Sequence, residues 1–300
     1  MNLNEKLKIY ADVLEDELMS KHTTYRIGGR VKYYIYPRNL ISLMRCIRLL
    51  KENKIQYEIM GRGSNVLWTD SYFDGAVINL DRYLNESYIE EDGTIVAQAG
   101  CSIINLAYEV AKKSLSGMEF ATGIPGSIGG GVYMNAGAYK SDFSSILEAV
   151  MVLKDEQILW MQKDDLMFGY RKSSFQSHPD WIILAAKFKC KPGNREEILA
   201  LMDSRRERRL ASQPLDRPCA GSVFRNPETI PAWKIVDELG LRGFTLGGAQ
   251  VSEKHSNFII NASGQAKAED VKQLIAYIQE QAKEKFEIEL ITEVEHFNCE

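Results

Sequence analysis

The chain has 300 residues, 45% hydrophobic and 26% charged, with a net charge of -4, an ordinary balance for a folded chain with ample core-forming capacity. That mild acidity argues against nucleic acid as the main partner. No apolar run reaches membrane-spanning length, and the opening M-N-L-N-E-K-L-K-I-Y lacks the apolar centre of a secretory signal.

In chain order, Asn39 to Asn53 reads as a helix with Leu40, Leu43, Ile47 and Leu50 on one stripe. A strand from Ile55 to Met60 runs into Gly61-Arg62-Gly63-Ser64-Asn65. Ala76 to Leu80 and Thr94 to Ala99 are strand-like, and Ser102 to Ser114 is helical through Ile103, Leu106 and Val110. After a glycine-rich segment come three β-rich runs, Ile146 to Lys154, Gln157 to Gln162 and Trp181 to Cys190. Asn194 with Glu197 three residues on predicts a helix start, continuing to about Leu210. The Arg205-to-Arg209 run on it reads as a solvated face with acidic partners at pairing distance. Pro214, Pro218 and Pro227 mark a loop-rich passage and a domain boundary. Beyond it, Pro231 to Leu239 reads as a short helix, Asn257 to Asn261 as a strand, Ala268 to Phe286 as a long helix, and Glu287 to Phe297 as a closing strand. The pattern is α+β, without internal repeats.

Gly117 to Gly137 holds 7 of the 22 glycines, against about 1.5 for even spreading. Glycine permits positive φ and lets main-chain N–H groups approach a ligand, and rows of such groups cradle phosphate or pyrophosphate. A run of tight turns is the plainer alternative. Gly61 to Asn65 has the same character, and the pair favours a nucleotide cofactor. Neither segment matches the G-x-G-x-x-G or G-x-x-x-x-G-K-[ST] fingerprint, so a Rossmann domain or a P-loop NTPase is disfavoured. The five cysteines, Cys46, Cys101, Cys190, Cys219 and Cys299, are scattered without a C-x-x-C pair. This points to free thiols in a reducing cytoplasm and to no metal site.

Seven motifs stand in order along nearly the whole chain: H-T-T-Y-R-I-G-G (22–29), G-R-G-S-N-V-L (61–67), A-T-G-I-P-G-S-I-G-G-G-V-Y-M-N-A-G-A-Y (121–139), Y-R-K-S-S-F (170–175), A-G-S-V-F-R-N-P (220–227), G-G-A-Q-V-S-E-K-H-S-N-F (247–258) and T-E-V (292–294). Together they resemble the UDP-N-acetylenolpyruvoylglucosamine reductase family, and the compact stretch between Pro227 and Gly248 is similar to its shorter subgroup, which lacks an extra tyrosine-bearing loop. The resemblance implies a vanillyl-alcohol-oxidase (PCMH) type FAD-binding region of two α/β subdomains, 1–80 and 81–195, and a C-terminal α+β substrate domain, 196–300. It implies non-covalent FAD with NADPH as co-substrate, and reduction of the enolpyruvyl ether of a UDP-sugar in peptidoglycan precursor synthesis. It also implies a cytoplasmic enzyme with a small-molecule substrate and neither nucleic acid nor membrane as partner; a monomer is the default.

In that family's pattern the FAD contacts fall on Tyr25, Arg26, Gly61, Arg62, Gly63, Ser64, Asn65, Gly123, Pro125, Gly126, Ser127, Gly129, Gly130, Asn135, Ala136 and Gly137. Hydride addition to an electron-rich enol ether gives an enolate-like species. It needs cations or donors at the carboxylate and a proton donor at the adjacent carbon. Ser222 is the candidate donor, its alternative an ordinary turn serine. Arg171 is the candidate carboxylate partner, since guanidinium holds its charge and binds carboxylates bidentately; the alternative is a surface ion pair. Strand alternation places Glu289, Glu293 and Glu295 on one face and cannot choose between Glu293 and Glu295; the T-E-V match implies Glu293. Tyr170, Arg225, Asn226, Gln250 and Lys254 are candidates for the sugar nucleotide. His22, His255 and Cys219 read as non-catalytic. A flavin oxidase acting on a sugar or alcohol, and a nucleotide-sugar sensor, are the competing functions.

Overall fold

The computed structural model describes residues 1–297; Cys299 lies outside the described residues. The chain opens with α1 (Leu3–Tyr10), β1 (Ala11–Leu18), β2 (Arg30–Pro37), α2 (Leu40–Glu52), β3 (Tyr57–Met60), β4 (Val66–Trp68), β5 (Phe73–Asn79), β6 (Ser87–Ile89), β7 (Thr94–Gln98) and α3 (Ile103–Lys112). It continues with α4 (Ile128–Tyr133), β8 (Leu147–Lys154), β9 (Gln157–Gln162), β10 (Ile182–Lys189), α5 (Arg195–Ser212) and α6 (Ala232–Glu238). Last come β11 (Thr245–Leu246), β12 (Ala249–Val251), β13 (Ile259–Asn261), α7 (Ala268–Phe286) and β14 (Glu295–Phe297).

The contacts divide the chain differently from the 1–80, 81–195 and 196–300 boundaries. One unit is Met1–Glu15, Tyr33–Arg62 and Asp74–Glu207; the other is Asp16–Lys32, Gly63–Phe73 and the described residues from Arg208 onward. Two short excursions of the N-terminal region thus belong with the C-terminal third.

In the first unit β3 and β5 pair in parallel from Tyr57↔Ala76 to Met60↔Asn79, within a sheet of order β1-β2-β5-β3. A second, antiparallel sheet runs β9-β8-β10-β7-β6. Its β8–β9 hairpin closes on Asp155 and Glu156 at φ 49° and 61°, the left-handed pair whose twist matches a two-residue turn. The helices follow their apolar stripes. Asn39 caps α2 by accepting from the Ser42 N–H at 2.8 Å and Leu43, Cys46, Ile47 and Leu50 are buried. Ser102 caps α3, which buries Ile103, Leu106 and Val110. The Asn194 side chain accepts from the Glu196 and Glu197 N–H groups and opens α5.

The second unit packs α6 and α7 with the sheet β11-β12-β13 around Phe224, Phe258, Val271, Leu274 and Ile278. Tyr25, Ile27 and Leu67 join this core, which is why their segments cluster here. Asp70 caps α7 from far along the chain, its carboxylate accepting from the Ala268 and Glu269 N–H groups at 3.0 and 3.2 Å. The closing strand is shorter than alternation predicts. Glu287 adopts the left-handed conformation (φ 57°) that ends α7, the chain then runs irregularly, and only Glu295–Phe297 forms a strand, parallel to β4. Alternation is therefore no guide to Glu289 or Glu293.

Candidate functional site

In the first unit the two glycine segments meet. A Cβ on Gly61 would collide with Ser127 Oγ, so the bare glycine lets the turn after β3 lie against the start of α4. Ser127 caps α4, its hydroxyl accepting from the Gly130 N–H at 3.4 Å. Gly123 ends the 3-10 turn Glu119–Gly123, Pro125 is exposed, and the Gly126 carbonyl accepts from the Ile103 N–H at 3.1 Å.

The glycines differ in what they are for. Gly129 donates to the Ala99 carbonyl at 2.8 Å, and its Cβ would stand 3.0 Å from that of Ala99. At Gly131 a Cβ would come 2.7 Å from Phe143 Cε2 and 2.9 Å from Ile103 Cδ1. Both are glycine for packing. Gly130 is exposed with nothing nearer than 3.6 Å to its Cβ direction, so packing does not account for it. Asn135 is buried and held by the protein: its amide donates to the Gly169 carbonyl at 2.8 Å and its Oδ1 accepts from the Ser144 N–H at 2.9 Å. The Ala136 N–H donates to the Gly131 carbonyl at 2.8 Å.

Arg171 sits in the left-handed region (φ 56°), at the second position of the turn joining the paired segments Phe168–Gly169 and Lys172–Ser173. Left-handed backbone costs a non-glycine residue about 1 kcal/mol, strain of the kind found at functional sites. Its Nη2 donates to the Gly137 carbonyl at 2.8 Å, and its guanidinium lies 5.1 Å from the Tyr170 ring centroid. The guanidinium is thereby tied to the end of the glycine segment.

The second unit unites residues far apart in sequence. Gly221 takes φ 81° with open space where a Cβ would stand, and Ser222 follows, half-buried. The Val223 carbonyl accepts from the Glu293 N–H at 2.7 Å, and Phe224 and Thr292 form an antiparallel bridge. Ser222 and Glu293 therefore lie on adjoining backbone. Asn65 Nδ2 donates to the Glu293 carbonyl at 2.9 Å, and the Asn65 carbonyl accepts from the Glu295 N–H at 2.9 Å. Asn65, expected at the cofactor, buttresses Glu293; no local signal in the sequence links the two. Gly63 (φ 59°) could not carry a Cβ, which would collide with the His22 carbonyl; Ser64 beside it is half-buried and Arg62 exposed.

Burial raises the Glu295 carboxyl above the usual carboxylate range, opposed by the Arg225 charge. Arg225 Nε is buried without a protein partner. Asn226 accepts from the Ala232 N–H at 3.1 Å at the start of α6, Gln250 donates to the Gly243 carbonyl at 3.2 Å, and Lys254 Nζ donates to the Leu210 carbonyl at the end of α5. The exposed Arg26 takes φ 55°. Tyr25 is fully buried and its hydroxyl has no partner. Burial also raises the Cys219 thiol, consistent with an unreactive group. His22 contacts Glu17 at 3.1 Å, and His255 is half-buried against Phe258.

Residues 31–162 match the FAD binding domain family model, and residues 213–297 the model of the C-terminal domain of UDP-N-acetylenolpyruvoylglucosamine reductase. The UDP-N-acetylenolpyruvoylglucosamine reductase of Bacillus licheniformis is 43% identical over 284 residues, 94% of this chain and 93% of that protein. The Thermotoga sp. enzyme of the same name is 43% identical over 289 residues, 96% and 94% of the two chains. The chain belongs to the UDP-N-acetylenolpyruvoylglucosamine reductase family. It is an oxidoreductase with FAD as cofactor. The crystal structure of the family member from Thermus caldophilus superposes with a TM-score of 0.81 at 32% identity, covering 96% of this chain and 98% of that one. The glucose dehydrogenase Phl p 4.0202 shares the fold alone, with a TM-score of 0.51 at 13% identity over 65% of this chain and 45% of its own. The fold is α+β with a vanillyl-alcohol-oxidase (PCMH) type FAD-binding region.

The residues present fit a flavin dinucleotide. Thr122 is 2% exposed, and its Oγ1 has no hydrogen-bond partner, a costly state for a buried hydroxyl that a ligand would relieve. Gly61 has no room for a side chain against Ser127, so the two glycine segments approach closely there, as a main-chain phosphate cradle requires. Among the described residues no cluster could hold a metal ion, and no helix is long and apolar enough to cross a membrane.

Proposed function

We propose that the chain reduces the enolpyruvyl ether of UDP-N-acetylglucosamine to UDP-N-acetylmuramate, with NADPH as electron donor, as a cytoplasmic step of peptidoglycan precursor synthesis. The observation that carries the reading is the Val223–Glu293 hydrogen bond, which joins the A-G-S-V-F and T-E-V motifs on one piece of backbone. FAD, when bound, would supply the hydride chemistry that links NADPH to the terminal vinyl carbon of the substrate. Ser222 then gives its hydroxyl proton to the adjacent carbon, so that hydride and proton together saturate the double bond. A serine hydroxyl is a weak acid, but an enolate-like carbon is basic enough to take its proton. Arg171 binds the substrate carboxylate, where the negative charge develops, and Glu293 supplies a second polar group beside the donor.

FAD is held by 1–80 and 81–195 through Tyr25, Arg26, the 61–65 turn and the 123–137 segment, in which Gly129 and Asn135 shape the backbone and Gly130 faces the ligand, with Thr122 just ahead of the segment doing the same. The substrate belongs to 196–300 together with Tyr170. Of Arg225, Asn226, Gln250 and Lys254, Arg225 has the strongest support, because a guanidinium nitrogen left unpaired in the interior suits a pyrophosphate. The test is the visible spectrum of the purified holoprotein. NADPH should bleach the flavin band, and the UDP-enolpyruvyl ether should restore it without peroxide. Peroxide formation with no response to the enol ether would refute the reading.

A further inference from the structure

Asn79 ends β5 and is 4% exposed, and no role given above uses it. Its amide donates to the Tyr34 hydroxyl and to the Gly61 carbonyl, both at 2.8 Å, and its Oδ1 accepts from the Asp81 N–H at 2.8 Å. Both donors of the side chain are therefore engaged. The parallel register Met60↔Asn79 sets it beside the last residue of β3, so it reaches one residue on to the first carbonyl of the glycine turn. The Tyr34 ring beneath it is fully buried, which limits where the amide can go.

A trans peptide is planar, and its C=O and N–H point in opposite directions. Holding the Gly61 carbonyl toward Asn79 therefore turns the Arg62 N–H away from the end of β5. The same glycine has no room for a side chain against Ser127, so the peptide that Asn79 orients is the one at which the two glycine segments touch.

We propose that Asn79 is a positioning residue for the flavin: it fixes the Gly61–Arg62 peptide with its N–H toward the dinucleotide. The inference rests on the reading of the Gly61 turn as an FAD loop. Tyr34 provides an internal control. Tyr34→Phe removes the hydroxyl that accepts from Asn79 but leaves the Asn79–Gly61 bond in place. A merely structural amide would make both substitutions act alike.

The test dilutes the wild-type holoprotein and the N79A, N79D, Y34F and G61V variants serially and reads FAD release by flavin fluorescence, with the melting midpoint of each. N79A should raise the Kd for FAD about tenfold, the loss of one oriented hydrogen bond. N79D should bind FAD more weakly at pH 8 than at pH 5.5, because only a protonated carboxyl can donate to the Gly61 carbonyl. Y34F should lower the midpoint and leave the Kd within twofold of wild type. The inference is overturned if N79A binds FAD like wild type, or if Y34F loosens FAD as much as N79A does. Should N79A not fold, N79D is judged by the same criteria. G61V separates the levels: loss of FAD from G61V but not from N79A sinks the role of Asn79 alone, whereas undiminished binding by G61V sinks the loop reading and the inference with it.

Discussion

Gly130→Ala and Gly131→Ala are neighbouring changes in one short helix, and the structure gives them opposite signs. Each should gain about 0.5–1 kcal/mol from replacing a helical glycine. At Gly130 nothing opposes the gain, because the nearest atom to the new methyl is Ser127 Oγ at 3.6 Å. At Gly131 the methyl would sit 2.7 Å from Phe143 Cε2 and 2.9 Å from Ile103 Cδ1, when carbon atoms rest at about 3.5–4.0 Å. Phe143 is fully buried, its ring 5.5 Å from Phe120 and 5.4 Å from Phe188, so it has little room to withdraw. Overpacking of this kind costs about 1–3 kcal/mol. The helix gain cancels in the comparison, so the two variants should differ by that cost, or roughly 2–6 °C in melting midpoint for a chain of this size. The assay is thermal melting of the flavin-free proteins, followed by FAD binding. G130A should melt at or above wild type yet bind FAD more weakly; G131A should melt below it. Equal midpoints would refute the packing argument, and wild-type FAD affinity in G130A would refute a ligand role for Gly130.

Other expectations follow from burial and charge. Burial and the Arg242 charge hold His255 below its ordinary value of 6.5, with Asp237 opposing. A histidine depressed by folding supports the native state above its unfolded value, and that support is lost as pH falls through the folded one. Urea midpoints should therefore fall from pH 7.5 to pH 5 in the wild type, and His255→Gln should flatten that slope; an unchanged slope would remove His255 as its source. The thiols of Cys46, Cys101 and Cys190 are pushed up by burial to about 12, 11 and 12, and Cys219 is raised as well. Alkylation at pH 8 followed by peptide mass mapping should leave these four unmodified until urea is added, and rapid labelling of Cys219 would contradict its inert role. Asn65→Ala should lower kcat through the lost bond to the Glu293 carbonyl, with kcat measured at saturating FAD; an unchanged kcat would show that the bond does not matter to turnover.

Much of the secondary structure was legible because local periodicity caused it. The α2 and α3 stripes with their nearby caps, the β9 strand and the full span of α7 follow from residues close in sequence. Features set by distant residues were not. Asp70 caps α7 across most of the chain, and Tyr25 joins a core built mainly of C-terminal side chains. The closing segment alternates like a strand, but the left-handed turn at Glu287 breaks it, and before Glu295 it makes only an isolated bridge, Phe224 with Thr292, in place of a strand ladder. In the candidate site the residue types were readable, whereas their division of labour was not. Nothing local distinguishes Gly131, which is bare because Phe143 abuts it, from Gly130, which is bare for no packing reason. Asn65 and Asn79 escaped notice in their observed roles because each acts through a main-chain carbonyl, Asn65 on Glu293 and Asn79 on Gly61.

The central claim is that Ser222 provides the proton that completes reduction. Ser222→Ala holoprotein, reduced anaerobically with one equivalent of NADPH and then mixed with the UDP-enolpyruvyl ether, tests it in a single trace. The account predicts that the flavin bleaches as in wild type and then stays bleached, whereas the wild-type band returns. Return of the band in the variant at the wild-type rate would contradict it.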